Sequence, residues 1–268
     1  MFRFCKTSFS LLALLSLLLL LPSCTPPDST AELLQAMQDA QKGLLGEALF
    51  RSELCLRNRP EDVNALLLNS YCIFTTASEN TQKAKALFNL DKATRLAPES
   101  FTTWYYYGWA LCENKQYREA LPVLEKAFEL LPKNSPKKGE ILLLLSRCSS
   151  HNNLQDKGLR YLQPLRIHPP FNRWPEVYNS LGILALNRSD YRNAEAAFKQ
   201  ALELEHNNPA LLQNLAVTYD LYLNDRNKAK KTYIQCLLAI GNQKDLQTRL
   251  KIQNRLRQLS TRPKSANP

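Results

Sequence analysis

Glycine is scarce in this chain, with 7 among 268 residues, and no stretch alternates apolar and polar residues as a half-buried strand does. Together these absences leave an all-helical chain. Catalytic and cofactor motifs are missing as well. There is no CxxC pair, no GxSxG elbow, no P-loop, no HExxH and no glycine-rich phosphate cradle. Zinc-peptidase, α/β-hydrolase and P-loop nucleotide chemistry therefore have no sequence support, and neither an enzyme nor a cofactor is expected. Only three histidines occur. His168 precedes a proline pair and His206 falls in a turn, so both read as surface residues. Cys148 and His151 lie three apart on one helix, but no further ligand or orienting group accompanies them, so the pair reads as incidental. The longest apolar run, Phe9–Leu21, is too short to cross a bilayer comfortably. A mean hydropathy of −0.35 with 22% charged residues describes a soluble body.

Acidic residues are nearly absent from one end. Residues 226–268 hold eleven basic residues against Asp245 alone, whereas residues 24–225 hold 22 basic and 23 acidic ones. The body is close to neutral and the C-terminal segment is strongly basic. Lys230, Lys231, Arg249, Lys251, Arg255 and Arg257 are its candidate contacts with an anionic partner such as lipid headgroups or an envelope polymer. A solvated cap face is the alternative. Nucleic acid is not expected for an exported chain.

Export is indicated by the N-terminus. Arg3 and Lys6 precede the Phe9–Leu21 run, which ends in Leu21-Pro22-Ser23-Cys24. A positive start, an apolar core and a small residue before the cleavage point make residues 1–23 a signal peptide. The ending resembles a bacterial lipobox, in which the cysteine is lipidated and becomes the first residue. Pro22 departs from the usual residue at its position. The resemblance implies acyl chains on Cys24, and each buried CH₂ contributes about 0.8 kcal/mol to membrane attachment. Thr25, where an aspartate favours inner-membrane retention, implies the outer membrane, facing the periplasm. Residues 24–31 read as the lipidated cysteine and a short stiff tether. Once Cys24 is lipidated, Cys55, Cys72, Cys112, Cys148 and Cys236 remain. An odd set without CxxC does not read as a disulfide framework, and these thiols are expected to pack as small hydrophobes.

A repeat organises the rest. Ala86, Leu90, Ala93 and Pro98 each precede Ala120, Leu124, Ala127 and Pro132 by 34 residues. Around the second set stand Trp104, Tyr107, Gly108, Leu111 and Tyr117. Tyr178, Leu181, Gly182, Ala185, Tyr191, Ala194, Phe198 and Ala201 repeat the pattern further on. Small residues at Gly108 and Ala120 suit a close crossing of two antiparallel helices, and Pro132 ends the unit. This pattern resembles the tetratricopeptide repeat (TPR). The resemblance implies an all-α, right-handed superhelix of about six helix pairs, near 29–62, 63–100, 101–134, 139–172, 175–208 and 209–243. A capping helix over 244–260 and a basic tail over 261–268 follow. About four extra residues are expected near Thr75–Thr81, one extra residue in the sixth unit, a kink at Pro122 and a second helix shortened at Pro164.

In TPR proteins the first helix of each pair lines a concave groove. Carried over by register, that groove comprises Tyr71 and Phe74, then Tyr105, Tyr106, Trp109 and Glu113, then Arg147. Asn179 and Asn187, and then Gln213 and Asn214, follow in later pairs. Leu144, His151, Ile183 and Asp220 share the same register. Three aromatics, Tyr105, Tyr106 and Trp109, fall on a face that core packing does not need, and such rings anchor bound peptides. The later amides suit backbone hydrogen bonding to an extended segment. The Lys/Asn pattern of carboxylate-clamp TPRs is missing. The whole chain is similar to bacterial TPR lipoproteins, including type IV pilus pilotins and outer-membrane or cell-wall adaptors. That implies a non-catalytic, membrane-anchored adaptor holding a peptide or helical segment of a protein partner.

Overall fold

The computed structural model describes residues 27–241 and 245–261. The expected signal peptide, Cys24 and the tail beyond Thr261 lie outside the described residues. Those described form α-helices and no strand.

Within each unit helices pack in consecutive pairs. The first are α1 Pro27–Gln41 and α2 Leu45–Asn58, α3 Val63–Thr76 and α4 Asn80–Leu96, and α5 Phe101–Glu113 and α6 Tyr117–Glu129; α7 Lys138–His151 and α8 Gln155–Ile167 follow along the chain. After a short 3₁₀ turn at Phe171–Arg173 come α9 Pro175–Asn187 and α10 Tyr191–Leu204, then α11 Pro209–Val217 and α12 Arg226–Ile240, then α13 Leu246–Thr261 alone. The chain divides into two compact units, one through Cys148 and one from Ser149, with the border inside α7.

One local geometry makes most of the hairpins. A residue with positive φ sits two places before the second helix: Gly43, Lys115, Asn153, Ser189 and Asn224. The left-handed residue reverses the chain within three positions. Side-chain caps then open several helices, with Asp62 accepting from Ala65 N–H, Asp190 from Asn193 N–H, Asn208 from Ala210 N–H and Asp225 from Lys228 N–H.

The α3–α4 hairpin departs from this rule. Its connection is no longer than the others, and the expected extra residues are helical instead. They extend α3 to Thr76 and start α4 at Asn80, about one turn ahead of the position equivalent to Tyr117. The single extra residue of the sixth pair is absorbed in a π-turn at Thr218–Tyr222, where Leu223 N–H donates to Thr218 C=O.

Two expectations change. The tether does not reach residue 31, because α1 begins at Pro27. A ring that fixes φ and lacks an N–H is tolerated in a helix's first turn. Nor does Pro164 end its helix: α8 continues to Ile167. Pro122 also lies inside a helix, α6.

Packing follows the small residues. A Cβ built on Gly108 would stand 2.5 Å from Leu124 Cδ2, and one on Gly182 would stand 2.5 Å from Phe198 Cε1. These glycines let α5 meet α6, and α9 meet α10, through a single large side chain. The bulky residue near the start of the first helix closes the preceding turn as well. Trp104 Nε1–H donates to Pro98 C=O at 2.7 Å, and Tyr178 O–H donates to Asn172 C=O at 2.9 Å. In the first unit Leu33, Met37, Ala48, Cys55, Leu68 and Cys72 form one core cluster. In the second, Phe198, Leu215, Tyr219, Tyr233 and Cys236 join Ile252 and Leu259 of α13.

Candidate functional site

In the first unit Tyr71 and Phe74 of α3 and Phe101, Tyr105, Tyr106 and Trp109 of α5 form one contiguous cluster. Trp109 is its hub. Its ring centroid lies 5.7 Å from Tyr71, 5.8 Å from Phe74 and 6.4 Å from Tyr106. Tyr105 sits 5.3 Å from Tyr106, edge to face, and 5.6 Å from Phe101. Aromatic pairs in this range favour such tilted and perpendicular arrangements.

The cluster has two layers, and this corrects the expectation for Tyr105 and Tyr106. They are only 5% and 7% exposed, whereas Tyr71, Phe74 and Trp109 are half-buried. The register places all five on first helices, but it does not give their depth. Tyr105 points at α7, where its hydroxyl donates to Glu140 Oε2 at 2.7 Å. Lys137 Nζ donates to the same oxygen at 2.8 Å and stands 5.4 Å over the Tyr105 ring. Burial, reinforced by the Glu140 carboxylate, holds the Tyr105 hydroxyl far above the usual tyrosine range, so it is a donor at every physiological pH. Tyr105 and Tyr106 are thus packing residues that support a rim of three exposed ring edges. Tyr105→Phe should cost about 1.5–3 kcal/mol, the worth of a hydrogen bond to a charged group. Urea denaturation measures it, and a midpoint equal to wild type would discount the bond.

Glu113 and Arg147 border the rim on α5 and α7 and bond one another at 2.9 Å. They form an ion pair between neighbouring first helices.

In the second unit the expected peptide-facing amides tie helices together. Asn214 Nδ2 donates to Asn179 Oδ1 at 2.8 Å, linking α11 to α9, and Asn179 is 1% exposed. Asn187 Nδ2 donates to Ser150 Oγ at 2.8 Å. Gln213 is half-buried on α11. Asp220 is buried in the π-turn. Its carboxylate takes both Arg255 Nε, at 2.6 Å, and Arg255 Nη2, at 2.8 Å, and accepts from Tyr233 O–H at 3.2 Å. This network was not read from the sequence, and neither was the one around Glu195. There Tyr219 O–H and Lys199 Nζ both reach Oε1, at 3.0 and 2.7 Å. The hydrogen bond from Lys199 is the largest influence keeping that carboxyl below the usual range, with Tyr219 assisting.

The basic candidates divide accordingly. Arg255 is held by Asp220, and Arg249 Nη1 donates to Gly241 C=O at 2.6 Å. A guanidinium closing a helix end or a buried pair is no longer a free surface charge. Lys231, Lys251 and Arg257 are exposed, and Lys230 is half-buried. Among the described residues no group of three or more His, Cys, Asp or Glu side chains is placed to hold a metal ion. His151, His168 and His206 are all exposed.

Residues 101–134 match a family model described as tetratricopeptide repeat, and so do residues 175–208. This is a tetratricopeptide-repeat fold. The sequence matches no curated protein. Among solved structures, PilW, described as a widely conserved type IV pilus biogenesis factor, superposes with a TM-score of 0.68. It is 18% identical, over 88% of this chain and 100% of that one. PilF of Pseudomonas aeruginosa gives 0.61 at 18% identity, over 85% of this chain and 97% of that one. A tetratricopeptide-repeat protein of Parabacteroides merdae gives 0.64 at 15% identity, over 89% and 86%. The chain thus shares its fold with these proteins.

Proposed function

We propose that this chain is a non-catalytic scaffold that binds a segment of a protein partner on the rim formed by Tyr71, Phe74 and Trp109. One observation carries the reading: Trp109 packs on both Tyr71 and Phe74, all three half-buried, and Trp109 and Tyr71 rest on the buried Tyr106, which Tyr105 backs. A floor of that kind fixes the rim before a partner arrives, so little rotamer entropy is lost on binding. The Glu113–Arg147 pair alongside gives a bound segment a polar edge. The N-terminal signal features support attachment to a bacterial envelope through lipid on Cys24, at the outer membrane and facing the periplasm. No described helix is long and apolar enough to cross a membrane. The fold shared with a pilus biogenesis factor favours a role in envelope assembly.

The test is crosslinking and affinity capture from cells with the full lipoprotein and with Trp109→Ala. Trp109 is chosen because it is the hub yet stays partly exposed. A partner captured by wild type should bind the variant at least about 10-fold more weakly, the effect of losing an aromatic anchor. Equal capture by a variant with unchanged melting would reject the rim as the binding face.

Contact with anionic lipid or polymer through Lys231, Lys251 and Arg257 is the second reading. It rests on their common exposure on α12 and α13. Binding to anionic vesicles that collapses between low and physiological salt, in a Trp109→Ala-insensitive manner, would favour it.

A further inference from the structure

All five cysteines of the described residues are buried thiols. Burial pushes Cys72 up to about 12 and Cys236 up to about 11, as for thiols that only pack. Cys112 and Cys148 differ in having each other. Their Sγ atoms lie 2.9 Å apart, on α5 and α7, and the residues are 1% and 0% exposed. The helices that carry them are held in register by two further contacts: Glu113 reaches Arg147 directly beside the sulfurs, and Tyr105 reaches Glu140 about two turns away. A disulfide has its sulfurs about 2.04 Å apart, so the remaining approach of the two sulfurs is under about 1 Å.

We propose that Cys112 and Cys148 are a disulfide-forming pair that staples α5 to α7 and thereby fixes the aromatic helix against its neighbour. The oxidant is another disulfide, R–S–S–R, acting by exchange. The Cys112 sulfur, having lost its proton, attacks one sulfur of R–S–S–R and expels R–S⁻, which takes up a proton. Cys148 then gives up its proton, and its sulfur attacks Cys112 Sγ and expels the second R–S⁻. Two cysteine thiols become one disulfide, and the external disulfide becomes two thiols. The exchange runs equally with the two cysteines in the opposite order, since the Sγ contact is the same for both; the hydrogen bond with Cys148 lowers Cys112 against its burial, and the Arg147 guanidinium assists. Because both sulfurs are buried, exchange in either direction occurs as the helices close during folding or open locally.

The pair spans 36 residues, and a covalent tie over such a loop restricts the unfolded chain. The test refolds the reduced full chain in detergent with oxidised glutathione, blocks free thiols with iodoacetamide in denaturant and maps the peptides. A Cys112–Cys148 peptide is expected, with Cys55, Cys72 and Cys236 alkylated. Reductant should lower the melting temperature of the oxidised protein by roughly 5–15 °C and leave the doubly substituted Cys112→Ser, Cys148→Ser protein unchanged. Alkylation of Cys112 and Cys148 after refolding, linkage of either to another cysteine, or a wild-type melt unmoved by reductant would overturn the proposal.

Discussion

Replacing Arg255 by Met is expected to destabilise the C-terminal end of the second unit by about 3 kcal/mol, since removing one partner of a buried ion pair leaves the other charge uncompensated. Asp220 is that charge. Its side chain is only 3% exposed, and Arg255 supplies two of the three donors around it. Arg255 itself is one-third exposed, so solvent softens the loss and the estimate sits at the low end of the range for fully buried pairs. The effect should be local. Helix α13 is held by Ile252 and Leu259 in the core, by Arg226 donating to the Leu259 carbonyl and by Arg255 on the π-turn. Without the last of these, hydrogen exchange across Leu246–Thr261 should accelerate more than exchange elsewhere. Adding Asp220→Asn should restore more than about 1 kcal/mol, because the amide carries no charge to strand yet still accepts from Tyr233. A melting curve for Arg255→Met that overlays wild type would show the pair to be neutral.

That network also shows where sequence reading stopped. The helix pairs were legible because a 34-residue repeat of small and large residues is a local signal with a direct packing cause, visible at Gly108 against Leu124. The extra residue of the sixth pair was legible as an insertion, but its form as a π-turn was not, since spacing does not distinguish a longer loop from a wider helical turn. Asp220 and Arg255 lie 35 residues apart, and Cys112 and Cys148 lie 36 apart. Pairs of that kind depend on which turns of neighbouring first helices face one another. The aromatic face failed for a related reason. Register put Tyr105 and Tyr106 beside Trp109 on the groove side, yet the next helix packs against that side. Tyr105, directed toward α7, is covered, Tyr106 is buried among Tyr71, Tyr105 and Trp109, and the rim stays partly open.

Phe198→Ala should cost about 3–5 kcal/mol, the usual penalty for emptying a phenylalanine site in a close-packed core. Phe198 is 0% exposed and fills the space over Gly182 where α9 and α10 cross. Gly182→Ala should be costly for the opposite reason. The new methyl would meet Cε1, Cδ1 and Cζ of the same ring at 2.5–2.7 Å, and a buried ring flanked by the core cluster can yield only by disturbing its neighbours, at about 1–3 kcal/mol. The two substitutions act on one volume, so they should not add. With Phe198 already cut to Ala, the methyl at residue 182 enters the vacated space, and glycine's extra backbone entropy in a helix, about 0.5–1 kcal/mol relative to Ala, then favours the alanine. Gly182→Ala is therefore expected to change sign, destabilising in the wild-type background and neutral or stabilising beside Ala at residue 198. Urea denaturation of the four proteins closes this cycle. Additivity within about 0.3 kcal/mol would mean that the glycine is not there to admit the ring, and the close crossing of α9 and α10 would then need another cause.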